Sequence, residues 1–245
     1  MDDFINKTST LGQSKRVDWN KNFLPTTAAV AGEWHCLAKG AGNPDSGSIY
    51  NTGTNLAFQA TSDTTVGAGG INHGGNVSPA TKHIVNASAF SAAATSCPAV
   101  LILVDLLGFY RVSSVTTTTA QTLNNTVSLP RYTNGEGVQA FMWNTNTVAM
   151  GAATPNLSIN YTNSAGTAGR ITPAVLPAGK TAAANGLVLY SGIGAGKYGP
   201  FMPLQGGDAG IRSIQSVTIS TSYLSGEFSI GLCKPLLTLP LTTVG

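Results

Sequence analysis

Residues Ile214–Leu241, IQSVTISTSYLSGEFSIGLCKPLLTLPL, carry the strongest β signal in the chain. Val217, Ile219, Thr221 and Tyr223 alternate with Thr218, Ser220 and Ser222. Phe228, Ile230 and Leu232 then alternate with Ser229, Gly231 and Cys233. A period of two marks a strand with one buried face. Leu224-Ser225-Gly226-Glu227 fits a short turn between the runs. The pattern predicts an antiparallel hairpin with an apolar inward face and a hydroxyl-rich outward face. Pro235 and Pro240 are expected to end its ladder, because proline has no N–H to donate.

Upstream, the same kind of signal recurs. Ala99–Val112, AVLILVDLLGFYRV, is the most hydrophobic run. It is too apolar for a half-exposed strand, which places it centrally in a sheet. Val138, Ala140 and Met142 alternate with Gln139, Phe141 and Trp143, and both faces are apolar enough to bury. Leu157–Tyr161 reads as a clean strand, with a turn at Gly166–Gly169 and Arg170-Ile171-Thr172 pairing back. Further strands are expected within Ala28–Ala38, around Leu56-Ala57-Phe58 and at Gly186–Tyr190. Thr81–Thr95, TKHIVNASAFSAAAT, sets Ile84, Ala87, Phe90 and Ala94 at helical spacing and predicts one short helix. Gly-rich stretches at 61–79 and 198–210 read as loops. Roughly eight short strands with turn signals between them predict an all-β fold, an antiparallel jelly-roll-like sandwich. Residues 1–27 form an N-terminal arm and 28–245 a single domain. The isolated aromatics of the arm either dock on a neighbouring subunit or cap the arm's own domain.

Composition narrows the function. Of 245 residues, 42% are hydrophobic and only 9% charged, against about 25% charged in an ordinary soluble protein. A hydroxyl- and amide-rich surface with few charges suits a protein packed against copies of itself or against a partner. The net charge of +3 supplies no long-range field, and no basic stripe with interleaved aromatics is present, so no nucleic-acid partner is expected. The longest apolar run, Ala99–Val104, is far too short for a membrane helix, and no membrane partner is expected. Cys36, Cys97 and Cys233 form no CxxC pair. The first ten residues, MDDFINKTST, lack the basic and apolar regions of a secretory signal. The expectation is cytoplasmic synthesis with reduced thiols.

Catalytic patterns are sparse. Gly192-Ile193-Gly194-Ala195-Gly196-Lys197 resembles the end of a phosphate loop, but Ser191 and Tyr198 stand where the full pattern needs Gly and Ser or Thr. His35, His73 and His83 show no i, i+4 pair, and His73 sits in the loop sequence GINHGG. Asp105 interrupts the most apolar run. It is expected to be hydrogen-bonded, with Arg111 or a backbone N–H as partner, because burying a lone charge is costly. No G-x-S-x-G elbow occurs. The expectation is no enzyme, no cofactor and no metal. A hydrolase would have to use loop-borne acids such as Asp105 and Asp208.

Two stretches carry a resemblance. HGGNVSPATKHIVNASAF with CPAVLILVDLLGFYR spans 73–111, and SIQSVTIS with LCKPLLTLPLTT spans 213–243. Together they resemble virion structural proteins of tailed bacteriophages, which include jelly-roll cement and decoration proteins seated on the capsid. The resemblance implies a non-enzymatic structural protein located in the virion and assembled in the host cytoplasm. Its partners would be the major capsid protein or other virion subunits, and a homo-oligomer is expected. Exposed aromatics would be the anchors, with Trp19, Phe23 and Tyr198 as candidate interface residues. A tail or fibre component is the near neighbour of this reading. A glycan-binding β-sandwich module, using loops around Trp143 and Asn144, is the alternative from another class.

Overall fold

Alternation along the chain sorts its side chains onto two sheets. The structure is a computed structural model. It describes residues 18–21, 34–44, 56–61, 69–71, 83–91, 99–112, 114–144, 151, 155–175, 187–189 and 199–242. Near the start, β1 (Asn20–Lys21) is followed by β2 (Trp34–His35), a 3-10 turn at Leu37–Lys39, and β3 (Gly42–Asn43), which pairs with β1. Then come β4 (Phe58–Ala60), β5 (Ala99–Val112), β6 (Gln121–Thr122), β7 (Gln139–Asn144), β8 (Leu157–Asn163) and β9 (Arg170–Ile171). The chain closes with β10 (Leu187–Leu189), β11 (Ile211–Ile219) and β12 (Phe228–Leu241). The larger sheet runs β2-β10-β7-β12-β5-β4 and the smaller β6-β11-β8-β9. All of these strand pairs are antiparallel.

The sheets face each other across one core. The larger contributes Leu107, Tyr110, Met142, Phe228, Ile230 and Leu232; the smaller contributes Leu157, Ile159, Tyr161, Ile214, Val217 and Ile219. In β8 every second residue is buried, as a sheet with one inward face requires. The fold is therefore the all-β sandwich that the alternation predicts. The larger sheet is covered on its other face too. Phe109, Phe141, Trp143 and Cys233 form a second buried cluster there, with Trp34, Cys36 and Phe201 packed against it. Both faces of β7 are thus buried, as its sequence indicates.

Three expectations are corrected. The closing stretch is no hairpin: β11 pairs with β6 and β8, whereas β12 pairs with β5 and β7. Residues 220–227 cross from one sheet to the other, with Tyr223 fully buried at the crossing and its ring 6.0 Å from that of Phe228. Val217, Ile219, Tyr223, Phe228, Ile230 and Leu232 are inward as the alternation predicts, and Thr221 is exposed instead; the inward residues of the two strands meet across the core rather than side by side. Nor is the outer face of β12 solvated, since Ser229 and Cys233 are 0% exposed beneath the second cluster.

The second correction concerns Pro235 and Pro240, which lie inside β12 opposite Val104 and Val100 of β5. Proline is tolerated where its nitrogen faces an unpaired edge or a bulge. β7 pairs with β12 only as far as Cys233, and a register shift follows Pro235. The third concerns the helix expected at Thr81–Thr95. Residues 83–90 are irregular, and Ile84, Val85 and Phe90 are exposed. Their helical spacing has no apolar surface to pack against, and a short isolated helix is not stable in water.

Candidate interaction surface

β5 and β12 are the longest strands, 14 residues each, and they outrun their neighbours. The last β7 contact on β12 is Cys233, opposite Gln139. The last β4 contact on β5 is Gly108, opposite Ala60. Thr61 extends that edge briefly, its N–H donating to the Leu107 carbonyl and its hydroxyl to that of Leu106. Beyond this line, among the described strands, Ala99–Asp105 pairs with Lys234–Leu241 and with nothing else. The outcome is a two-stranded ribbon of sequence AVLILVD against KPLLTLPL.

The ribbon is apolar and incompletely covered. Val100 is 51% and Leu236 45% exposed. Leu101, Ile102, Leu103, Val104, Leu237, Leu239 and Leu241 are half-buried. An isolated two-stranded ribbon is at best marginal in water, and a contiguous exposed apolar surface marks an interaction site. The expected central position of β5 holds only for its inner part, where Leu107, Phe109 and Tyr110 are buried.

A polar clamp fixes the base of the ribbon. Asp105 and Lys234 stand opposite one another in the register. Arg131 donates to both Asp105 carboxylate oxygens, from Nε at 2.8 Å and from Nη2 at 2.6 Å, and to the Leu106 carbonyl at 3.0 Å. Its neighbour Tyr132, at φ 50°, brings its ring to 4.2 Å from Lys234 Nζ. Burial, then the Asp105 charge, raise the Tyr132 hydroxyl pKa. Gly137, at φ 70°, lets the Lys234 stem pass close by, since an added Cβ would stand 3.3 Å from Lys234 Cε. Arg131, not Arg111, is therefore the partner of Asp105. Arg111 instead pairs with Glu227 at 2.8 Å.

Asp208 is engaged as fully. It accepts from the Tyr161 hydroxyl at 2.5 Å, Asn163 Nδ2 at 2.7 Å and Arg170 Nε at 2.9 Å, with its side chain 3% exposed. The Arg170 bond, then the Tyr161 bond, hold its carboxyl down at about 2. Burial, then the bond to Asp208, push the Tyr161 phenol up to about 12. A carboxylate so stabilised in its charged form is a poor proton donor. The cluster pins loop 205–208 onto β8 and β9. Asp105 thus lies on β5 of the larger sheet and Asp208 in a loop held against the smaller sheet, each bound to its own arginine, and they do not form a shared acid pair. Among the described residues, no group of three or more His, Cys, Asp or Glu is placed to hold a metal ion.

The candidate anchors fare unequally. Trp19 is half-buried against its own chain, donating to the Gly69 carbonyl at 3.0 Å. Lys21 donates to the carbonyls of Gly40, at 3.1 Å, and Pro44. At this point the chain packs on itself, at residues 40–44 and 69. Phe23, Tyr198, His73 and the 192–197 glycine stretch lie outside the described residues. Trp143 is 1% exposed within β7, so it offers no platform for a sugar ring. The ribbon is the surface that reading for aromatic anchors passed over. Its signal was present: 14 apolar-rich residues exceed what a sheet with strands of about six needs. No protein-family model, curated protein or solved structure matches this chain.

Proposed function

We propose that this chain is a non-enzymatic structural component of a phage virion, a capsid-associated cement or decoration protein of jelly-roll type. It acts by lying against other subunits. The apolar ribbon of β5 and β12 carries the reading, because an exposed apolar surface of that kind marks a place where another molecule docks. Charge-poor composition supports it, since lone charges are unfavourable at buried contacts. The two stretches that resemble virion proteins contain both ribbon strands. The fully engaged states of Asp105 and Asp208 support a role without turnover.

Particle composition tests the proposal. Mass spectrometry of gradient-purified virions, with antibody labelling in electron micrographs, should find the protein in stoichiometric amounts on the particle. Absence from intact particles would overturn the reading. Labelling confined to the tail would replace the head assignment with a tail or fibre component.

A further inference from the structure

Among the described residues both edges of the ribbon are open, and proline chemistry shows how they differ. In an antiparallel ladder, opposed residues alternate between pairs that exchange both hydrogen bonds and pairs whose N–H and C=O point outward. Pro240 opposes Val100 and Pro235 opposes Val104. Neither proline has an N–H to exchange, so both must occupy outward-pointing pairs. Val100 and Val104 are then outward-pointing too. Ile102, opposite Thr238, is outward by the same alternation. On β12, two of the outward positions are prolines, which blunts that edge. On β5, Val100, Ile102 and Val104 offer N–H and C=O groups along an edge with no proline and no charge. Native proteins guard such edges with charges, proline, bulges or cover.

We infer that the β5 edge, Ala99–Val104, pairs with the same edge of a second copy of this chain, antiparallel about a twofold axis. This deepens the structural-subunit reading and rests on its view that the ribbon is a docking surface. The edge is self-complementary. Centring the axis on Ile102 sets Ile102 opposite its twin and Val100 opposite Val104 of the second copy. Each of those pairs exchanges two hydrogen bonds, joining two ribbons into a four-stranded sheet with β12 on both outer edges. An isologous contact of this kind closes on itself, and the proline-blunted β12 edges stop further growth. No like charges meet, because Asp105 falls opposite Ala99 of the second copy and is already neutralised by Arg131. The edge contact by itself is smaller than the roughly 1,200 Å² of a standard stable interface. The dimer is therefore reversible and concentration-dependent in free solution.

Sedimentation of the full chain over a range of concentrations, with register-specific cysteines, tests this. Opposed residues in a bonded pair have Cα atoms about 5.5 Å apart, within disulfide reach. Ile102→Cys should therefore cross-link to itself under mild oxidation. Val100→Cys should not, its twin lying about 14 Å away, but it should cross-link to Val104→Cys when the two are mixed. The three native cysteines are common to all variants and cancel in the comparison. Ile102→Pro removes an outward N–H without touching the β5–β12 ladder. It should weaken dimerisation at least tenfold while melting within a few degrees of the parent. If Ile102→Pro fails to fold, the cysteine contrast decides alone. A chain monomeric at every concentration, or Val100→Cys cross-linking to itself as readily as Ile102→Cys, would overturn the inference. Monomers found in virions would remove the pairing and leave the structural role. Dimers absent from virions would do the reverse.

Discussion

Gly231 sits where the second buried cluster is tightest, and Gly231→Ala measures how tight. The residue lies on β12 between Phe109 of β5 and Phe141 of β7 in the register. With no side chain of its own, it lets the neighbouring rings lie across the strand. Phe141 and Trp143 have ring centroids 4.6 Å apart, and Phe109 backs Trp143 at 6.3 Å. A Cβ at position 231 would stand 2.6 Å from Phe141 Cζ, 2.7 Å from its Cε1 and 2.9 Å from Trp143 Cζ3. Carbon atoms in contact prefer about 3.5–4.0 Å, so two rings must each withdraw by about 1 Å. Trp143 is 1% and Phe141 6% exposed, which leaves them little room. Overpacking of this sort costs about 1–3 kcal/mol, and removing glycine's extra unfolded-state freedom offsets about 0.5–1 kcal/mol. The net loss centres on about 1 kcal/mol. For a chain of this size that lowers Tm by roughly 2–4 °C, readable by calorimetry or circular dichroism. Adding Phe141→Leu should return part of the loss, as contacting residues couple. A Gly231→Ala variant melting at or above the parent would refute the packing argument.

Ile219, at 0% exposure, tests the main core: Ile219→Asp should cost about 3 kcal/mol or more, and an unchanged melting temperature would remove it from that core. Asp208 has a folded-state pKa of about 2, below the ordinary carboxylate value of about 3.9. Its stabilisation is complete above about pH 4 and lost as pH falls toward about 2. Tyr161, raised to about 12, favours the fold as neutral phenol, fully below about pH 10 and decreasingly as pH rises toward about 12. In thermal melts across pH, Asp208→Asn should flatten the acid limb and Tyr161→Phe the alkaline one; unchanged limbs would count against the cluster. A double-mutant cycle on Asp105 and Arg131, whose side chains are 21% and 31% exposed, should give a coupling of about 1 kcal/mol. Either single Ala variant should also speed amide exchange at Leu101 and Leu103, and a coupling near zero would show that the clamp does not hold the ribbon.

How far the sequence discloses this molecule depends on which physical question is asked. Alternation picks out Val217, Ile219, Phe228, Ile230 and Leu232 as side chains of the main core, and all five are buried there. It does not report the partner strand. A hairpin and a crossing between two sheets require the same period of two, so the β11–β12 connection was not legible. Local turns were legible where the backbone itself demands them: Gly166 and Gly169 take positive φ, and β9 pairs back onto β8. Helical spacing in 81–95 misled for a related reason. Spacing creates a stripe, but only a packing surface turns a stripe into a helix, and Phe90 is 71% exposed.

The ribbon shows the same limit at the functional level. AVLILVDLLGFYRV reads as one uniformly apolar strand, and hydrophobicity cannot say whose surface covers it. Its inner residues meet their own core, while Val100 and the residues after it extend past the last neighbouring strand among the described residues. The sign of that division lay in the opposite strand. A proline in a β run marks either the end of a ladder or a strand whose outer side is left unpaired, and Pro235 and Pro240 are of the second kind. Two prolines spaced along β12 guard that strand's edge, and β5 carries no equivalent guard against the same hazard. Protection applied to one edge of a two-stranded ribbon and withheld from the other is what a chain built for a single, self-limiting strand partner requires.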